Sequence, residues 1–325
     1  MRVESVDISF VIPVRNDAER LLACLQSIRR SGHAADRIEI IVVDNGSRDH
    51  SAQVARVEGA QVIDAPGRRV SEMRNLGSAT ARGRVLAFVD ADHLIGAGWI
   101  AAALDTIDPT SRVGGAGCLC QAPQPGTWVQ RTYDRLRGRP KGCSATDWLG
   151  AGNMAVSRVA FAEVGGFDVT LETCEDVDLC KRLRMAGYML YSDDRMLNVH
   201  LGDPATLVQL FRGELWRGRS NLAVSFRQPI VARELPSAIV PIVHLAGLAV
   251  APFAAVAGGT SGAIAAGVAL TPLALVAAAR AARMSAHHGA RNVRQVASDA
   301  IVAFVYDLAR ALALVAFAGH GVRRQ

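Results

Sequence analysis

Through the first 120 residues, short apolar runs alternate with longer segments in which apolar and polar positions interleave. The runs at 8–14, 38–43, 61–63, 85–89 and 113–119 read as buried parallel strands, because a strand covered on both faces loses the polar alternation of a half-exposed one. Segments 17–31, 49–57 and 71–82 lie between them, with helical spacing and polar residues placed to cap their starts. Strand-helix alternation of this kind predicts an α/β fold, a mainly parallel sheet flanked by helices. Segment 121–147 is rich in Gly, Pro and Arg and is expected to hold a mobile loop. A helix is expected from about 203 to 219.

The pattern then changes. Between residues 235 and 279 no side chain is charged, far beyond what a surface helix of a soluble protein shows. Segments 236–257 and 262–279 read as an apolar helical hairpin about Gly258-Gly259-Thr260-Ser261-Gly262, each helix near the ~20 residues that cross ~30 Å of hydrocarbon. A further helix is expected over 296–318, where Asp307 and Arg310 are spaced to pair. The chain is thus expected to divide into an α/β domain over 1–234 and a membrane-associated helical region over 235–325.

Charge sharpens that division. The net charge is +6, and the last 90 residues hold seven arginines against Asp299 and Asp307. Because Arg280, Arg283, Arg291 and Arg294 follow the second apolar helix directly, they are expected to face anionic headgroups on the cytosolic side. A basic tail that is mostly apolar does not suit nucleic acid, whose phosphates need cations spread over a face. The six cysteines, at 24, 118, 120, 143, 174 and 180, lack the second pair that a zinc site needs, and read as reduced thiols. Glu4 and Asp7 precede the first apolar run, which is unlike a secretory signal, so the α/β domain is expected to stay in the cytoplasm.

In an α/β sheet, ligands gather where strands end. Asp90-Ala91-Asp92 leaves the fourth run, and two carboxylates at i and i+2 suit either a divalent cation or a solvated turn. Asp44-Asn45-Gly46-Ser47 is open in the same way: a good turn, with Ser47 or Asp49 able to cap the next helix, or a carboxylate reading a base or ribose. Arg74, in Arg74-Asn75-x-Gly77, is either a phosphate contact or a solvated arginine. Asp176, in Glu175-Asp176-Val177-Asp178, is either chemically active or a helix cap with Thr173. His200 is a ligand or a satisfied loop histidine.

Taken in chain order, these runs resemble the family-2 glycosyltransferases. The resemblance rests on Phe10-Val11-Ile12-Pro13-Val14-Arg15-Asn16, Val43-Asp44-Asn45-Gly46-Ser47-x-Asp49, Arg74-Asn75-x-Gly77, Val89-Asp90-Ala91-Asp92, Gly152-Asn153-Met154, Gly165-Gly166-Phe167-Asp168, Glu175-Asp176-Val177-Asp178-Leu179 and Val199-His200. It implies a GT-A fold and inverting transfer of a sugar from a nucleotide-sugar donor to an acceptor hydroxyl. On that pattern Pro13, Val14, Arg15, Asn16 and Asp44 bind base and ribose, Asp90 supports the donor and Arg74 touches phosphate. Asp92 and His200 hold Mg²⁺ or Mn²⁺, and Asp176 is the catalytic base. Gly152, Asn153, Glu175, Asp178 and Arg217 are acceptor-side candidates. A UDP-sugar is the implied donor, with GDP- or dTDP-sugars as alternatives, and the acceptor is a saccharide or lipid-linked molecule. Glu214-x-x-Arg217 stands near where processive members carry Gln-x-x-Arg-Trp, which implies transfer of one sugar at a time. The competing readings are a sugar-nucleotide nucleotidyltransferase, and an inactive sugar-binding or membrane scaffold.

Overall fold

The structure is a computed structural model that describes residues 6–108, 111–289 and 292–316. Arg291 and the end of the last expected helix, at 317–318, lie outside the described residues. Two compact units divide the chain, one made of 1–123 with 139–203, the other of 124–138 with 204–325. Composition instead places the boundary at 234, where charge disappears. Buried ion pairs account for the difference, because they tie the helices at Trp128–Arg137 and Leu207–Arg217 to the last helix, Val293–Ala316.

In chain order the elements are β1 (Ile8–Val14), α1 (Ala18–Arg29), β2 (Ile38–Asp44), α2 (Ser51–Val57), β3 (Gln61–Asp64), α3 (Val70–Thr80), β4 (Val85–Val89), β5 (His93–Ile95), α4 (Trp99–Thr106) and β6 (Val113–Gly117). Next come α5 (Trp128–Arg137), β7 (Cys143–Ala145), β8 (Asn153–Ser157), α6 (Arg158–Glu163), α7 (Glu175–Met185), β9 (Met189–Asp193) and β10 (Asn198–His200). The chain continues through α8 (Leu207–Arg217), α9 (Asn221–Ser225), α10 (Pro236–Val256), α11 (Gly259–His288) and α12 (Val293–Ala316). Segment 121–147, expected to be a mobile loop, holds α5 and β7, and α5 starts at a Thr127–Gln130 capping box.

The first unit is built on an eight-stranded sheet in the order β3-β2-β1-β4-β8-β6-β9-β7. Strands β1 to β4 run parallel. β8 lies antiparallel between β4 and β6, so β6 keeps the direction of β4. Alternation along the inner strands supplies two cores. Ile8, Phe10 and Ile12 face one side with Leu21, Leu25 and Ile28 of α1 and Trp99 of α4. Val11, Ile41, Val43 and Phe88 face the other with Met73 of α3 and Leu179 and Leu183 of α7. β3 is an edge strand and partly exposed, not buried as its sequence suggests.

In the second unit α5, α8 and α12 share a small core of Tyr133, Leu210 and Val302. Buried carboxylates tie it together: Glu214 accepts from the Tyr133 hydroxyl at 2.7 Å and pairs with Arg217 at 2.8 Å and Arg310 at 2.9 Å. Asp299 pairs with Arg135 at 2.7 Å. Asp307 takes Arg280 at 3.0 Å instead of Arg310, three residues on, because Arg310 is drawn to Glu214. α10 and α11 are each long and apolar enough to cross a membrane, and only 17% of the most apolar stretch of either is buried. That exposure is not the state of a soluble core helix. Phe253, Val256, Ile264 and Val268 are among the exposed apolar side chains.

Gly77 sets how closely α3 approaches the sheet, since a Cβ there would lie 2.4 Å from Val11 Cγ1 and 3.2 Å from Val43 Cγ2. Gly77→Val is therefore expected to destabilise the chain by roughly 1–3 kcal/mol through overpacking. Thermal unfolding checks it: an unchanged midpoint would mean that α3 does not pack on β1 as described.

Candidate functional site

The strand order reverses about β1 and β4, and such a switch point opens a crevice at the C-terminal strand ends. Val14 is buried at the end of β1, whereas Arg15 and Asn16 are exposed. Asn16 adopts φ 52° and docks on the neighbouring turn: its N–H donates to Ser47 Oγ at 2.9 Å, and its Oδ1 accepts from the Arg48 N–H at 2.7 Å. Asp44 is buried at the end of β2, and one of its oxygens accepts from the Ser47 N–H at 3.0 Å and from the Ser47 hydroxyl. The turn reading of Asp44-Asn45-Gly46-Ser47 therefore holds, and that turn fixes the Asp44 carboxylate at the end of β2. Asp49 accepts from the Ala18 N–H at 3.0 Å, which satisfies the start of α1.

Arg74 is neither solvated nor at the surface. Its side chain is 4% exposed, with Nη2 donating to Asp90 Oδ1 and Nη1 to Glu175 Oε1, each at 2.7 Å. The guanidinium also lies over the Phe167 ring at 5.5 Å. Two carboxylates thus hold the guanidinium in the interior, so the solvated-arginine alternative does not apply. Glu175, expected on the acceptor side, is that cation's partner. Asn75 completes the motif by clamping the turn before Asp168: it donates to the Phe167 carbonyl and accepts from the Phe167 N–H, both at 2.9 Å. Gly166 permits this clamp, since its φ is +73° and a Cβ would stand 2.8 Å from Asn75 Oδ1.

One turn beyond Asp90, the antiparallel pair of β5 and β10 sets His93 directly opposite His200, with ring centres 4.4 Å apart. His200 Nδ1 lies 2.7 Å from Asp203 Oδ1 and its Nε2 lies 3.1 Å from Asp92 Oδ2. One carboxylate thus orients the ring towards another. Burial opposes the charged imidazole, but the bonds to Asp203 and Asp92 outweigh it and lift His200 to about 9. Burial would likewise raise Asp92, yet the His200 bond and the charges of His200, His93 and Arg20 hold it well below the usual carboxylate range.

His93 was not singled out by its sequence, and only the Asp90-Ala91-Asp92-His93 run hints at it. Burial, and then the charge of His200, depress it to about 4. Asn198 donates to its Nδ1 at 2.7 Å, so a neutral ring carries its proton on Nε2, 3.7 Å from Asp92 Oδ1. Asp92, His93 and His200 each offer a ligand atom within 4.8 Å of the others. Space at this cluster depends on glycine: a Cβ at Gly202 would lie 2.1 Å from Asp92 Oδ2 and 3.0 Å from His200 Nε2. A carboxylate oxygen and an oriented imidazole nitrogen in that opening fit Mn²⁺ or Mg²⁺.

Asp176 lies beyond the Gly150–Gly152 segment. Its Oδ2 accepts from the Ala151 N–H at 3.3 Å and its Oδ1 from the Val177 N–H at 2.8 Å. A Cβ at Gly150 would stand 3.9 Å from Asp176 Oδ2, and one at Gly152 would stand 2.8 Å from Asp90 Oδ2 and 2.7 Å from His93 Cε1. Three residues of backbone therefore separate the carboxyl from the Asp90–His93 group. Burial, and then the neighbouring charge of Glu175, raise Asp176 to about 6. The capping pair with Thr173 does not form, because Cys174 is the N-cap of α7, with φ 61° and no side-chain cap. Two further expectations change. Asn153 is 1% exposed and takes Trp99 Nε1 at 2.6 Å while donating to the Cys118 and Met196 carbonyls, and Asp178 is buried against Arg182 at 2.7 Å, so both serve the fold. Arg217 lies in the second unit, bonded to Glu214.

Residues 9–152 match the family described as Glycosyl transferase family 2. The chain is similar to Glycosyltransferase AglE of Haloferax volcanii, 28% identical over 206 residues that cover 61% of this chain and 67% of that one. It is also similar to the succinoglycan biosynthesis protein ExoA of Rhizobium meliloti, 28% identical over 276 residues, 76% of this chain and 79% of that one. Among solved structures, the mannosyltransferase PcManGT of Pyrobaculum calidifontis, in complex with GDP-Man and Mn²⁺, superposes with a TM-score of 0.60 at 18% identity, covering 94% of this chain and 86% of that one. Residues 9–152 thus resemble a family 2 glycosyltransferase domain, and the chain that carries them is a glycosyltransferase of GT-A fold.

Proposed function

We propose that the chain moves one sugar at a time from a nucleoside diphosphate sugar to an acceptor hydroxyl, with inversion at the anomeric carbon, at the cytosolic face of a membrane. The observation that carries this reading is the pairing of an oxygen and nitrogen cluster, Asp92 with His200, with a buried carboxyl raised into the neutral range, Asp176, across the Gly150–Gly152 segment. Asp44 and the exposed Arg15 and Asn16 are suited to base and ribose, and Asp90, fixed by Arg74, to the donor's sugar side. Asp92 and His200 would hold a divalent cation, which would supply positive charge against the diphosphate. The similar mannosyltransferase was solved with GDP-Man and Mn²⁺, which supports that donor class and metal.

Asp176 is suited to take the acceptor's proton because it titrates close to neutral pH, where a general base is most effective. A base and a departing diphosphate on opposite sides of one carbon give inversion. For the second unit, the exposed apolar faces of α10 and α11 and the absence of charge from 235 to 279 support insertion in a bilayer, with both hairpin ends on the cytosolic side. That position suits a lipid-linked or envelope-bound acceptor.

Asp176→Asn is expected to lower turnover by ~10²–10⁴, the usual weight of a general base, with donor affinity nearly unchanged. In the wild type, kcat/KM is expected to rise with pH through a value near 6, where Asp176 ionises. The stability sign is opposite. The folded value lies above the ordinary 3.8, so ionising Asp176 opposes folding increasingly as pH climbs from 3.8 past about 6. Asparagine removes that penalty but loses one accepted N–H bond, and the melting midpoint should move by no more than about 4 °C. A variant that keeps wild-type turnover would remove Asp176 from the reaction.

Fractionation checks the membrane reading. The full chain is expected to sediment with membranes and to need detergent for release, whereas a monodisperse protein in detergent-free buffer would show that α10 and α11 are covered by protein.

A further inference from the structure

Arg74 is enclosed, whereas the guanidinium of Arg20 stands partly exposed beside Asp92, at the proposed cation site. Arg20 lies in the first turn of α1, and its side chain is 44% exposed. Its Nε donates to Asp17 Oδ1 and its Nη2 meets Asp17 Oδ2, both at 2.8 Å, so one edge of the guanidinium is locked. The remaining nitrogen, Nη1, points at the cluster and lies 3.6 Å from Asp92 Oδ2. The lock is itself anchored. The Asp17 N–H donates to Ser51 Oγ at 3.1 Å, and Asp49 accepts both from Ser51 and from the Ala18 N–H. Arg20 is therefore presented to Asp92 by a preset carboxylate, with its outer face in solvent. A guanidinium in this state keeps donors for a phosphate oxygen and spends little entropy in using them.

We propose that Arg20 binds the donor's diphosphate next to Asp92 and stabilises the charge that gathers on it during transfer. The inference rests on the donor reading given above. In the step concerned, the bond from the anomeric carbon to the diphosphate oxygen breaks and its electron pair stays on that oxygen, next to Arg20. The acceptor oxygen bonds to the anomeric carbon, and its proton goes to Asp176. Asp17 acts as a positioning residue, through Arg20.

Calorimetry on the full chain in detergent separates this role from a structural one. The probes are Mn²⁺ alone, UDP and GDP each with Mn²⁺, and the matching monophosphates. For Arg20→Ala, affinity for the bound diphosphate is expected to fall roughly ten- to a hundred-fold, the range of a hydrogen bond to a charged group. The monophosphate should lose less. Mn²⁺ alone should bind as tightly or more tightly, because a positive charge 3.6 Å from Asp92 has been removed. Arg20→Lys should recover part of the loss, and Asp17→Asn should give an intermediate one with Arg20 still present. Unchanged diphosphate affinity in Arg20→Ala overturns the inference, as does an equal weakening of Mn²⁺ alone, which would mean that Arg20 acts only through Asp92. A wild-type chain that binds neither diphosphate with Mn²⁺ overturns the donor reading and this inference with it.

Discussion

A buried guanidinium has to be neutralised where it stands, and in this chain that requirement organises the candidate site. Arg74 is 3% exposed, and it draws Asp90 from the end of β4 and Glu175 from the start of α7 to within 2.7 Å. Removing one partner of such a group is strongly destabilising, since it leaves an uncompensated charge in the interior. The geometry of Asp90 is therefore maintained by folding stability. The same contact sets electrostatics next door: Glu175, held 2.7 Å from Arg74, is the neighbour whose charge helps lift Asp176. Arg74 is thus a brace whose effects are felt at two carboxylates.

Much of the framework was legible because it is written in local periodicity. Ile8, Phe10 and Ile12 alternate with Val11, and Leu21, Cys24, Leu25 and Ile28 recur at helical spacing, so β1 and α1 follow from sequence alone. Residues at strand ends were legible for the same reason, which is why Asp44, Asp90 and Asp92 stood out. What periodicity does not carry is pairing over distance. Arg74 meets Glu175 across 101 residues, and Asp92 meets His200 across 108. His93 gains its place only through the register of the three-residue strands β5 and β10, too short to leave a pattern. β8 escaped because its orientation between β4 and β6 is a property of the sheet. α5 had a readable Thr127-x-x-Gln130 box, masked by the Gly, Pro and Arg around it.

The second unit poses a different constraint. Its helices expose apolar faces, yet Glu214, Asp299 and Asp307 are buried within it, each with an arginine. Buried pairs add little net stability compared with apolar packing, but each penalises arrangements that would leave a charge unpaired. Helices meeting in an apolar setting can slide past one another, and such pairs select one register. Composition marks where charge stops; it does not show which charges find each other, and so it placed the boundary at 234.

On the function proposed above, Asp92 and His200 form one cation site. Pulsed electron paramagnetic resonance of Mn²⁺ bound to the protein with a nucleoside diphosphate tests it most directly. The expected spectrum shows coupling to one coordinated imidazole nitrogen that is lost in His200→Gln, together with coupling to nucleotide phosphorus. A spectrum with phosphorus coupling alone, the same in wild type and variant, would place the cation on the nucleotide without His200 and contradict the account.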